Sequence, residues 1–205
     1  MKTDALLEKY PIISDQVDRA ELRVILAELE HLLQQGVQGN IVEFGCYTGT
    51  TSLFIRRLCD AYDFSGELHV YDSFAGLPAK TSQDESALGV EFVAGELLAP
   101  KRTFIDNFKK AHLALPTIHK GWFSDLTTED TPDEIMFAFF DGDFYESIRD
   151  SFRVCEGKYV DHATIVVDDY GNDRLPGAAR AAGEWARAHG VTIQSQASLG
   201  IIRLK

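Results

Sequence analysis

Apolar residues at Leu22, Ile25, Leu26, Leu29, Leu32 and Leu33 recur three or four apart, the spacing of one helix face. They predict an amphipathic helix over residues 15–35, with Gly36 as its stop. The pattern then shortens. An apolar run at 41–44 ending in Gly45 predicts a strand, and a helical stretch over 50–61 follows, with Phe54 and Leu58 four apart. The same alternation returns as strands at 68–71, 117–119 and 135–140 and helices at 101–111 and 145–156. The β-branched run at 164–167 predicts a fifth strand, and Pro176 suits the first turn of an Ala-rich helix that Gly190 ends. Two closing strands, 191–194 and 199–204, are joined by so few residues that only a hairpin fits.

Strands alternating with helices predict an α/β fold. The sheet should be Rossmann-like, mostly parallel and seven-stranded, with helices on both faces and a C-terminal antiparallel strand. The 205 residues suit a single domain, with 1–38 as an N-terminal helical or lid segment and 39–205 as the core. The irregular stretch 73–100 exceeds ordinary connections and reads as a lid or binding loop.

Charge narrows the partners. Twenty basic against 32 acidic residues give a formal charge of −12, which repels a phosphate backbone, so no nucleic-acid partner is expected. No stretch approaches the roughly 20 apolar residues of a bilayer span, and the N-terminus lacks an apolar signal core, so no membrane association or cleaved export is expected. The three cysteines Cys46, Cys59 and Cys155 are odd in number and widely spaced, which predicts neither a disulfide framework nor a zinc clamp and points to a reducing, cytoplasmic compartment.

In an open α/β sheet, ligands bind where the strands leave the sheet at their carboxyl ends. Here those exits are acidic: Glu43 in strand one, Asp72 after strand two, Asp141 and Asp143 after strand four, and Asp168 and Asp169 after strand five. Gly45 and Gly49 form a Gly-x-x-x-Gly turn that lets a ligand approach the backbone. That spacing lacks the Gly-x-Gly-x-x-Gly of a dinucleotide site. S-adenosylmethionine carries a nucleoside but no phosphate, and its sulfonium and ammonium favour nearby carboxylates such as Glu43. Asp72 would accept from ribose hydroxyls, a role shared with NAD enzymes.

Asp141, Asp168 and Asp169 leave strands expected to be neighbours, about 4.8 Å apart. Oxygen-only donors suit Mg²⁺ rather than zinc. For all of these acids, capping of helix N-termini is the competing structural reading. His69 and His119 read as core or strand-end residues, Trp122 and Phe123 as an adenine wall or plain packing, and Tyr47 and Tyr170 as cavity lining or helix packing. Arg56 and Arg57 read as a solvated helix face.

Taken in order, these motifs resemble the TylF/MycF family of class I S-adenosylmethionine-dependent O-methyltransferases, which includes macrocin, mycinamicin and noviose (NovP-type) sugar methyltransferases. Val42-Glu43-Phe44-Gly45-Cys46-Tyr47-Thr48-Gly49 is similar to the family's glycine motif, Asp72-Ser73-Phe74-Ala75-Gly76-Leu77-Pro78 to Asp-Ser-Phe-Glu-Gly-Leu-Pro, and Gly121-Trp122-Phe123 to Gly-Trp-Phe. Asp141-Gly142-Asp143-Phe144-Tyr145-Glu146-Ser147 is similar to Asp-Gly-Asp-x-Tyr-Glu-Ser, and Val167-Asp168-Asp169-Tyr170-Gly171 to the family's Asp-Asp-Tyr. The chain departs from the family at Asp161-His162-Ala163, where a Pro-Gly-Gly turn is usual, and in a short N-terminal segment.

The resemblance implies S-adenosylmethionine and Mg²⁺ as cofactors, Asp141, Asp168 and Asp169 as metal ligands, and Asp143 as the catalytic base. The implied cofactor contacts are Glu43, Gly45, Tyr47, Gly49, Thr50, Asp72, Ser73, Gly121, Trp122, Phe123 and Asp141. The expected reaction is methylation of a hydroxyl on a sugar or glycosylated metabolite, with a homodimer implied by resemblance alone. A catechol-type phenol O-methyltransferase and a non-catalytic binding protein of the same fold are the alternatives.

Overall fold

The computed structural model describes residues 2–90 and 92–205. Its helices are α1 (Lys2–Lys9), α2 (Arg19–Gln35), α3 (Thr50–Ala61), α4 (Lys101–Lys110), α5 (Tyr145–Cys155) and α6 (Pro176–His189). The strands are β1 (Asn40–Phe44), β2 (Leu68–Asp72), β3 (Thr117–Lys120), β4 (Ile135–Phe140), β5 (Tyr159–Val167), β6 (Gln194–Gln196) and β7 (Leu199–Arg203). They form one seven-stranded sheet in the order β3-β2-β1-β4-β5-β7-β6. Pairing is parallel from β3 through β5 and antiparallel at β5–β7 and β6–β7. Ala197 and Ser198, both with positive φ, make the two-residue turn of the β6–β7 hairpin.

The sheet is covered on both faces, and its central strand β4 is apolar at every position. In β4, Phe137 and Phe139 join the cluster packed under α2 and α3, while Ala138 and Phe140 join the cluster packed under α5 and α6. That alternation is the two-residue period of a strand, and a strand buried on both sides reads as an unbroken apolar run. Strand order reverses between β1 and β4, which opens the crevice where ligands enter such sheets.

Several boundaries differ from the sequence expectation. The long N-terminal helix starts at Arg19, not at residue 15, because Asp18 and Glu21 form a capping box. Residues 11–18 instead run as an irregular segment, preceded by α1. Glu30 docks α1 by accepting from the Lys2 and Thr3 amides and from the Tyr62 hydroxyl. Arg56 and Arg57 are half-buried rather than solvated: Arg56 pairs with Asp60 at 2.6 Å, and Arg57 lies 3.9 Å over the Tyr10 ring. β5 begins at Tyr159, ahead of the expected 164, and β6 occupies 194–196 rather than 191–194. Two steps along β4 match five along β5, so Asp161-His162-Ala163 forms a bulge that interrupts the apolar pattern without ending the strand. This departure from the family motif therefore lies at the amino end of β5, away from the crevice.

Glu43 in β1 is 1% exposed, and its carboxylate accepts from Ser52 Oγ of α3 at 2.5 Å. Burial raises its pKa to about 8, with the Asp72 charge adding to the effect. A carboxyl that binds its proton more tightly when folded contributes stability at low pH. That contribution is lost as pH rises from about 4.5 toward 8. Glu43→Gln keeps an acceptor for Ser52 without the charge. Its Tm should exceed that of the parent by on the order of 5–10 °C at pH 8.5 and match it near pH 4.5. Thermal unfolding across that range checks this, and a pH-independent difference between the two proteins would refute it.

Candidate active site

The turn after β1 is shaped by how closely β4 passes it. Gly45 has φ +86°, and a Cβ there would lie 1.7 Å from the Asp141 carbonyl oxygen. No other residue fits that contact. The amides of Cys46 and Tyr47 then donate to Asp72 Oδ2 at 2.9 and 3.0 Å, and the Phe74 amide donates to Asp72 Oδ1 at 2.7 Å. Asp72 thus ties the β1 and β2 exits into one surface. Gly49, the N-cap of α3, has φ +91°, and a Cβ there would come within 2.9 Å of the Phe104 ring. Thr50 Oγ1 shares a 2.8 Å hydrogen bond with Ser14 Oγ, holding the N-terminal segment over the turn.

Strand pairing continues one residue past β4 and β5. The Asp141 amide donates to the Phe44 carbonyl and the Asp168 amide to the Phe140 carbonyl, both at 2.8 Å. These bonds fix the two carboxyl-bearing residues at adjacent strand ends. Asp143 and Asp169 follow with φ of 60° and 55°, a left-handed conformation uncommon outside glycine that recurs at functional sites. Asp169 Oδ1 accepts from Asn172 Nδ2 at 2.7 Å.

Burial raises the proton affinity of all four of these carboxyls. For Asp141 the charges of Asp168, Asp143 and Asp169 raise it further; for Asp143, those of Asp169 and Asp72; and for Asp168, those of Asp169 and Glu21. Glu21 also raises that of Asp169, against the hydrogen bond from Asn172, which lowers it.

These residues border an open cavity of about 240 Å³. Seven carboxylates line it: Asp15, Glu21, Asp72, Asp141, Asp143, Asp168 and Asp169. Among the described residues, no Lys, Arg or His lines it. The field inside favours a cation, since little nearby positive charge offsets that of the acids. Asp141, Asp168 and Asp169 present only carboxylate oxygens, the donor type a hard divalent ion takes. As they stand, the described residues contain no group of three or more His, Cys, Asp or Glu gathered into a metal-ligand arrangement. The donor chemistry fits such an ion, and the raised proton affinities mark a place short of positive charge.

Of the residues singled out from the sequence, Gly45, Tyr47, Asp72, Ser73, Trp122 and Phe123 line the cavity together with Asp141, Asp143, Asp168 and Asp169. Glu43, Gly49, Thr50 and Gly121 do not line it; the first three support the turn from behind. Tyr170 packs on Gly200 of β7. His69 and His119 pair at 3.1 Å on the β2–β3 side of the sheet, away from the cavity, in line with a structural role. The sequence reading missed Asp15, Gln16 and Glu21 as lining residues, and the apolar wall of Leu77, Phe92, Leu97 and Leu175. The available signals were the capping-box pattern at Asp18 and Glu21, which pulls the helix start back and frees the preceding residues, and the apolar residues scattered through the 73–100 loop.

The profile of the macrocin-O-methyltransferase (TylF) family matches residues 11–197. Similar sequences include a tetracenomycin-C rhamnosyl 4'-O-methyltransferase of Streptomyces olivaceus, 29% identical over 71% of this chain and 58% of that protein. Mycinamicin III 3''-O-methyltransferase of Micromonospora griseorubida is 25% identical over 90% of this chain and 75% of that protein. The chain thus spans little more than half the length of the first relative. The fold superposes on the O-methyltransferase NovP with a TM-score of 0.77 at 23% identity, over 90% of this chain and 79% of that one. It superposes on the calicheamicin methyltransferase CalS11 with a TM-score of 0.73 at 17% identity, over 98% of this chain and 90% of that one. By the extent of the profile match, the chain belongs to the macrocin-O-methyltransferase (TylF) family.

Proposed function

We propose that this chain is a Mg²⁺-dependent O-methyltransferase that carries a methyl group from S-adenosylmethionine to a hydroxyl of a sugar on a glycosylated small molecule. The observation that carries the proposal is a cavity at the β1–β4 reversal lined by seven carboxylates and, among the described residues, by no basic side chain. Membership of the TylF family and the activities of the tetracenomycin and mycinamicin relatives support the reaction class. Free, buried Cys46, Cys59 and Cys155 fit a reducing cytoplasm.

When bound, S-adenosylmethionine supplies an electrophilic methyl on sulfur, and Mg²⁺ supplies positive charge that makes a coordinated hydroxyl more acidic. The turn at Gly45 and Tyr47, fastened by Asp72, receives the nucleoside and the aminoacyl end. Trp122, which is 38% exposed, and Phe123 wall the adenine side. Asp141, Asp168 and Asp169 would hold the ion. Asp143 accepts the proton of the acceptor hydroxyl at a carboxylate oxygen, the role its raised proton affinity suits. Leu77, Phe92 and Leu97 exclude water while the acceptor oxygen is aligned with the methyl carbon.

The direct test is an acceptor screen with labelled S-adenosylmethionine, with and without Mg²⁺, set against a simple catechol. Label should pass to a glycoside rather than the catechol. Exhaustive chelation should abolish turnover and Mg²⁺ should restore it; full activity after chelation would refute the metal role. Asp143→Asn should bind S-adenosylhomocysteine as tightly as the parent but lose roughly 10²–10⁴-fold in kcat. Near-normal kcat in the folded variant, with chemistry rate-limiting, would move the base elsewhere.

A further inference from the structure

The 73–100 loop has one short 3₁₀ turn, Ser82–Asp84, and otherwise neither helix nor strand among its described residues. It still builds one side of the cavity. Leu77, Phe92 and Leu97 line the cavity and pack with Phe144 and Leu175 as a small apolar cluster separate from the two sheet cores. A wall made from so little apolar surface needs another fastening to hold its place.

Asp84 supplies one. It is 1% exposed, and its Oδ2 accepts from the Thr81 amide at 2.9 Å and from Thr81 Oγ1 at 2.8 Å. Its Oδ1 accepts from the Tyr145 amide at 2.6 Å, across 61 residues of chain. Tyr145 opens α5, whose own N-cap residue, Phe144, offers no capping side chain, so the cap comes from the loop. Gly177 in the first turn of α6 closes the arrangement: a Cβ there would lie 1.9 Å from Asp84 Oδ1 and 2.6 Å from the Tyr145 nitrogen. The carboxylate is thus wedged between the amino ends of α5 and α6, where both helix dipoles favour negative charge. The backbone it grips lies two residues beyond Asp143. Exposed bonds, Ser86 Oγ to the Asp173 carbonyl and Arg180 to the Gln83 carbonyl, tie the same loop to the segment after β5 and to α6.

We propose that Asp84 is a positioning residue for the acceptor, its buried carboxylate fixing the apolar loop wall against the turn that carries Asp143. This rests on the methyltransferase reading above. The cofactor side is built by Gly45, Tyr47 and Asp72 and does not depend on Asp84, so the two halves of the site should separate experimentally.

The test uses the full chain and Asp84→Asn, which keeps shape and one acceptor oxygen but not the two-sided grip. Acceptor KM should rise about tenfold with a smaller change in kcat, while the Kd for S-adenosylhomocysteine stays within about twofold. Chymotryptic cleavage of the native protein within the loop should accelerate about tenfold. Thr81→Val removes only the loop-side hydroxyl. It should shift the same readouts in the same direction by less, and its effect should be non-additive with that of Asp84→Asn. If Asp84→Asn fails to fold, Thr81→Val alone decides. Loss of Tm with unchanged acceptor KM, or a fall in S-adenosylhomocysteine affinity parallel to the KM change, would reduce Asp84 to a helix cap and overturn the proposal. Unchanged loop cleavage would overturn the fastening itself. A parent protein that binds S-adenosylhomocysteine yet methylates no acceptor would overturn the methyltransferase reading, and acceptor positioning with it.

Discussion

Backbone hydrogen bonds that run one residue past the ends of β4 and β5 hold Asp141 and Asp168 side by side, and the crowding of carboxylates there governs the rest of the site. Left to themselves, like charges at this spacing would spread into water. The amide bonds to the Phe44 and Phe140 carbonyls prevent that, because breaking them would strand buried polar groups. The sheet therefore imposes proximity, and the raised proton affinities are the chemical consequence.

The acidic edge is carried on a sheet whose central strands are buried among apolar side chains. β1, β4 and the latter half of β5 are buried on both faces, with Phe137 and Phe139 on one side and Ala138 and Phe140 on the other. The contact between Gly45 and the Asp141 carbonyl then brings the turn after β1 against the acidic strand ends. Asp72 works in the same direction, using its two oxygens to join the β1 and β2 exits.

Much of this was legible in the residues. Unbroken apolar runs, turn glycines and acids at strand exits marked the sheet and ten of the cavity-lining residues. What escaped it depends on contacts between distant residues. The first half of β5 was missed because a bulge at Asp161-His162-Ala163 breaks the apolar pattern while pairing with β4 resumes beyond it. Residues 15–18 look like the start of a helix until the capping box of Asp18 and Glu21 is recognised. Glu43 reads as a cofactor contact on charge alone, yet its side chain points to Ser52 behind the turn. Strand alternation gives the direction of a residue relative to the sheet, but not which helix meets it.

Glu21 illustrates how few positions in such a compact site are independent. One carboxylate oxygen accepts from the Asp18 amide to start α2, the other accepts from Ser198 Oγ on the β6–β7 turn, and the residue borders the cavity as well. The Gly171 amide adds a further bond to the Ser198 carbonyl, drawing the hairpin tip to the segment just after Asp169. Evolutionary drift at position 21 is therefore constrained three ways at once. A substitution there that reshapes the cavity also alters where a helix begins and how the C-terminal hairpin seats, so changes in what the cavity admits should arise more readily in the 73–100 loop, whose lining residues carry fewer such obligations.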